Sequence, residues 1–222
     1  MEAAVAAARP RSVARWTILG GVLYVVFFVI GTIVLFGGAP DGDAAPAKVI
    51  QWYSDSGHRD RVNTGWVLIT LSVFCLLWFI AALRRAVSTV DGEGILTGVV
   101  GIGGGIYAAL AFASVALNTG IRTMSDDTYQ HQVFPDLIHA AGDVSWVMHA
   151  TGAVGLGAMI IAASLAFMWG GVWPSWAGWV GVVVGFLTLA SVAFFPQFLF
   201  LLWILIVSIM IFMKSRPAGR VA

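Results

Sequence analysis

The sequence predicts an all-α protein: a polytopic bundle of six transmembrane helices with a short interfacial amphipathic helix in the first outer loop. Three observations predict it. Hydrophobic residues make up 59% of the 222 and charged residues 10%, with a mean hydropathy of +0.91, whereas a soluble domain is about 25% charged. The apolar residues fall into six runs, near 16–36, 65–83, 95–117, 144–169, 175–194 and 197–213, each close to the roughly 20 residues that a helix needs to cross a bilayer. The basic residues gather at the ends of those runs. With a net charge of +1, they mark topology and give no footing for a nucleic-acid partner. The whole chain, 1–222, reads as one transmembrane domain.

The first run follows an Ala-rich stretch carrying Arg9, Arg11 and Arg15. A secretory signal has an apolar core of only about 7–15 residues. This run is longer and ends in 37–41, Gly-Gly-Ala-Pro-Asp, with no small-x-small cleavage pattern, so it is expected to stay in the membrane. In the loop 41–63, Asp43 ahead of Pro46 marks a helix start. Val49, Ile50 and Tyr53 lie on one side of that helix and Lys48, Gln51 and Asp55 on the other. It is expected to lie on the membrane surface and to break at Gly57, with Trp52 and Tyr53 in the interfacial belt.

The second span, 65–83, closes on Arg84 and Arg85 before a short polar loop, 87–93. The third, 95–117, carries the pairs Gly94/Gly98 and Gly101/Gly105, a spacing that lets helix backbones approach closely in lipid. The glycine run at 101–105 is not a nucleotide loop, because no strand precedes it and no Lys-Ser/Thr follows. The loop 118–134 holds Arg122, Asp126, Asp127 and His131 and leads into the fourth helix. Run unbroken from Asp136 to Trp169, that helix would measure about 51 Å, so it either projects beyond the hydrocarbon layer or bends at Gly142. The fifth span carries Gly181/Gly185, and Pro196-Gln197 reverse the chain into the sixth. Cys75 is the sole cysteine, which excludes an internal disulfide and reads as a small core residue.

Eight of the twelve Lys and Arg fall in the N-tail, the 84–94 loop and the C-tail. The positive-inside rule then puts both termini in the cytoplasm and both long loops outside. The stretches 20–27 (Gly-Gly-Val-Leu-Tyr-Val-Val-Phe), 49–59 (Val-Ile-Gln-Trp-Tyr-Ser-Asp-Ser-Gly-His-Arg) and 171–179 (Gly-Val-Trp-Pro-Ser-Trp-Ala-Gly-Trp) give the chain its resemblance to a widespread family of bacterial six-helix integral membrane proteins, of the domain-of-unknown-function kind. The resemblance covers nearly the whole chain and implies the six-helix fold and a plasma-membrane location. It implies no activity.

Ionisable groups inside a span mark function by default, and they concentrate at the start of the fourth helix. At 100° per residue Asp136, His139, Asp143 and Trp146 fall within an arc of about 80°, with His149 deeper and on its flank. A carboxylate four residues from an imidazole can orient it as a base. Asp143, His139 and His149 are therefore the candidate catalytic residues. Asp136, Trp146, Asp55, Arg59 and Arg61 are the candidate ligand-binding ones, the two arginines suiting a phosphate or carboxylate headgroup. Acids at a helix start also complement its dipole without any further role. A zinc set of His131, His139, Asp143 and His149 lacks a tight pair such as HExxH, and no cofactor or metal is expected. The expected partners are membrane lipids, with other membrane proteins or a second copy of the chain also open. A structural or accessory membrane component is the first functional expectation. A membrane-embedded enzyme acting on a lipid or isoprenoid is the second, and a small-solute transporter the third.

Overall fold

The computed structural model describes residues 17–92, 94–123, 132–193 and 198–214, and its regular structure is entirely helical. In chain order the helices are α1 (Gly20–Phe36), α2 (Pro46–Tyr53), α3 (Ser56–Asp91), α4 (Ile95–Thr123), α5 (Pro135–Trp169), α6 (Ser175–Leu189) and α7 (Leu199–Lys214), with a 3-10 turn at Ala190–Ala193. Their starts follow local chemistry. Pro46 and Pro135 occupy first-turn positions, where the missing N–H costs nothing. The Asp55 carboxylate accepts the backbone N–H of His58 at 3.0 Å to cap α3. Asp91 does the same for α4, accepting from the Thr97 N–H at 2.9 Å.

Three helices, α3, α4 and α5, are long and apolar enough to cross a membrane. The others in the bundle, α1, α6 and α7, are apolar but shorter. Large apolar side chains such as Ile33, Phe74, Ile102, Val147 and Phe186 stand exposed on outward faces, which suits lipid as the surrounding medium. Several helices run further than hydropathy alone predicts. The second span is one helix from Ser56 to Asp91, taking in the end of the first loop and most of the second. The third continues through Arg122 to Thr123, so Arg122 is a helical residue and not a loop residue. The break after α2 falls at residues 54–55, and Gly57 lies inside the first turn of α3. The fourth helix is unbroken through Gly142. Asp126, Asp127, His131, Pro196, Gln197 and the basic tails lie outside the described residues.

Consecutive long helices pack as neighbours, α1 on α3, α3 on α4, α4 on α5, α5 on α6 and α6 on α7, and α7 closes the ring on α1. Glycines set the closest seams. A Cβ on Gly155 would stand 2.6 Å from the Gly103 carbonyl oxygen, and one on Gly157 would stand 2.7 Å from that of Gly185. The α4 seam is therefore built on Gly103 and Gly104. Gly98 and Gly105, expected at an interface, have nothing within 4 Å of a would-be Cβ. Of the expected pairs, Gly181 and Gly185 do face α5, and Gly101 meets Arg84.

Two features shape the end of the bundle at which α2 lies. First, α2 packs one face on that end: Val49 and Tyr53 are buried beside Leu35, Val62, Val115 and Ile138, while Lys48, Ile50 and Gln51 are exposed. Second, α7 begins low. Phe200, in its first turn, packs against Phe28 midway along α1 and against Tyr107 of α4, so the last two turns of α1 rise above it. Among the described residues α1 and α5 share little direct contact.

Candidate functional site

At that end, beneath α2, a cavity of about 380 Å³ lies among α1, α3, α4 and α5, within the roughly 300–1,000 Å³ usual for small-molecule sites. The wall from α1 is Phe28, Thr32, Leu35 and Phe36, with Tyr24 at its floor, and α3 adds Ile69 and Val73. The α4 wall is the stripe Tyr107, Ala111, Ser114, Val115, Asn118 and Arg122, whose 3–4 spacing keeps one face inward for about 22 Å. α5 contributes Gly142, Ser145, Trp146 and His149, and Phe198 stands at the edge where α7 begins.

The polar groups are arranged in layers. At the floor the buried Tyr24 and Tyr107 hydroxyls bond each other at 2.9 Å. Beside them the His149 ring meets Tyr107 edge-on at 5.5 Å and stacks on Phe28 at 6.3 Å, with no hydrogen-bond partner among the described residues. In the middle, Ser114 and Ser145 tie α4 to α5 by donating to each other's carbonyls at 2.8 and 3.0 Å. Above them Asn118 is 5% exposed, and its side-chain oxygen has no partner among the described residues. At the top Arg122 donates to the Tyr53 hydroxyl and lies 5.5 and 5.7 Å from the ring centres of Tyr53 and Phe36. Burial raises the Tyr53 pKa, with the Arg122 guanidinium pulling the other way; the phenol stays neutral and offers Arg122 no counter-charge.

The residues expected from sequence are divided by this geometry. His149 and Trp146 line the cavity. His139, about two to three turns nearer the start of α5, is half-buried, and its Nε2 has no partner among the described residues. Asp136 and Asp143 are exposed and do not line the cavity. Among the described residues the one carboxylate–cation contact within 4.0 Å joins Asp55 to His58, so the expected Asp143–His139 pair is not brought together. The outer-loop groups hold the fold. Asp55 caps α3, Arg59 is buried with Nη1 donating to the Tyr53 carbonyl at 2.9 Å, and Arg61 Nε donates to the Val34 carbonyl at 2.9 Å. His131 of the zinc set lies outside the described residues.

No protein family, no curated protein and no solved structure matches this chain. The site is therefore read from its own chemistry. Sequence reasoning passed over Arg122 and Asn118 by assigning them to a loop. The signal was present in the stripe 107, 111, 114, 118, 122, which alternates small and polar residues on one face of an otherwise apolar helix. Such a chamber, apolar along its walls and cationic at one end, suits a molecule with one long apolar part and one polar end.

Proposed function

We propose that the chain is a multi-pass protein of the bacterial plasma membrane that receives the apolar chain of a membrane lipid in its outer-half cavity. In this reading α1 and α3–α7 are the six membrane-embedded helices of the family the sequence resembles, with both termini in the cytoplasm, and its role is accessory: to hold a lipid. The carrying observation is the cavity itself, set where α1 and α5 share little contact among the described residues. A lipid-facing gap admits molecules already dissolved in the bilayer, whereas α2 covers the route from water. The basic distribution supports the topology, because cysteines placed at Thr89 and Asp43 in a Cys75→Ser background should then react with impermeant reagents from the cytoplasmic and outer faces respectively. The reverse labelling would overturn it.

The lipid reading is tested by reconstituting the protein in phosphatidylcholine nanodiscs with a twelve-carbon alcohol bearing a photoreactive diazirine on its tail. Labelling should map to Thr32–Phe36 and Ser145–His149. It should fall at least tenfold in Ala111→Trp, which fills the chamber from a wall remote from Arg122. Undiminished labelling in Ala111→Trp would place the lipid outside and sink the reading. One observation favours a second reading, an enzyme acting on the bound lipid: the His149 imidazole is open to the chamber and free of protein hydrogen bonds among the described residues. A lipid product that disappears in His149→Gln, while tail labelling persists, would support it.

A further inference from the structure

We infer that the cavity selects an amphiphile with an anionic headgroup, bound at the α2 end by the Arg122 guanidinium and the Asn118 amide. The inference rests on the lipid-chain reading and names the headgroup which that reading leaves open.

Among the described residues Arg122 is a cation held among neutral groups. Its partners are a phenol and two aromatic rings, and its Nε is buried with no hydrogen-bond partner among the described residues. Arg59 and Arg61 differ from it in giving their N–H groups to backbone carbonyls. A guanidinium carries five N–H donors in a planar fork, cannot discharge by losing a proton, and matches a carboxylate or phosphate edge with two parallel bonds. Placed in a low-dielectric wall with no carboxylate beside it among the described residues, it attracts an anion more strongly than a surface arginine does.

Asn118 supplies an independent pointer to a ligand. It lies one turn inward on the same face, is 5% exposed, lines the cavity and has an unpartnered side-chain oxygen among the described residues. The same amide carries an NH2 group with two N–H donors, so a headgroup on Arg122 would meet a second donor one turn inward. Further inward Val115, Ala111, Ile69 and Val73 make much of the wall apolar, and the Ser114, Ser145, Tyr24 and Tyr107 hydroxyls there are already hydrogen-bonded within the protein. This order of cation, amide and apolar wall is that of an anionic amphiphile laid along α4. A volume of about 380 Å³ is that of a small-molecule site. Among the described residues Arg122 is the only Lys or Arg lining the chamber, and it balances one negative charge.

The experiment uses the full chain in phosphatidylcholine nanodiscs with three tail-diazirine probes of equal length: dodecanoic acid, dodecanol and dodecyl phosphate. The acid and the phosphate should label the cavity peptides at concentrations at least tenfold lower than the alcohol. The stronger of the two identifies whether a carboxylate or a phosphate monoester is the natural head. Arg122→Gln should bring both anions to the level of the alcohol, Arg122→Lys should restore part of the difference, and Asn118→Ala, which leaves the contacts of Arg122 in place, should weaken the anions severalfold without changing the alcohol. Equal labelling by acid, phosphate and alcohol, unchanged in Arg122→Gln and Asn118→Ala, overturns the headgroup assignment and leaves the lipid cavity standing. Failure of all three probes to label the cavity overturns the lipid-chain reading itself, and the two failures are thereby distinguished.

Discussion

The inner and outer halves of α5 differ in how they meet their neighbours. From Gly152 inward, the helix lies against α4 and α6 at backbone distance, with Gly155 facing Gly103, Gly157 facing Gly185, and Leu156, Met159 and Ile160 fully buried between them. From His149 outward, the same helix turns Gly142, Ser145, Trp146 and His149 toward an open chamber. Helices in lipid associate by close packing, since apolar burial gains little where the solvent is itself apolar. The inner half therefore carries the association of the bundle, and that frees the outer half to stay unfilled.

The first prediction strains this contrast hardest. Gly155→Leu drives a side chain into the Gly103 carbonyl and should cost about 3 kcal/mol or prevent assembly, read as thermal stability in detergent. Gly105→Leu on the neighbouring helix, with nothing within 4 Å, should change stability by less than about 0.5 kcal/mol. Equal losses from the two would mean that the seam is not where stability resides.

A second prediction separates two arginines at the outer end. Arg59→Leu strips the Tyr53 carbonyl of its donor in a buried setting, which should cost about 1–3 kcal/mol. Arg122→Gln removes a charge that has neutral partners only. It should leave thermal stability unchanged within about 0.5 kcal/mol, or raise it by relieving desolvation. A large loss from Arg122→Gln would recast that residue as a fold-holding group like Arg59.

The helices were legible because hydropathy reports lipid-facing length, and their ends were not, because it reports nothing beyond the hydrocarbon. Residues 56–64 and 84–91 are polar enough to read as loops yet continue α3 for several turns at either end. The glycine seam was visible only as a composition. Residues 98, 101, 103, 104 and 105 are all glycine, and periodicity cannot say which of them meets a neighbour. For the site, His149 and Trp146 were found from their position on α5, whereas Arg59 and Arg61 drew attention by charge alone and turn out to bind carbonyls. The cavity depends on where α7 starts relative to α1, a tertiary fact with no local signature.

The smallest expected effect concerns the wall at the start of α7. Phe198 lines the central cavity and also a second, wholly apolar groove of about 390 Å³ formed by Val25, Val29, Leu199, Leu201, Leu202 and Leu205 between α1 and α7. Its ring is therefore the partition between the two spaces. The side chain is 67% exposed, so truncation removes little buried contact and Phe198→Ala should hold its melting temperature within about 2 °C. Its consequence should appear in exchange. With the partition gone, a chain in the groove reaches the chamber without first displacing an aromatic ring, and tail-diazirine dodecanol should load several times faster at an unchanged final level. Loading at the wild-type rate would mean that lipid enters higher, between Phe36 and Trp146, where α1 and α5 stand apart. A fall in the final level would mean that the Phe198 ring is part of the binding surface and not its boundary.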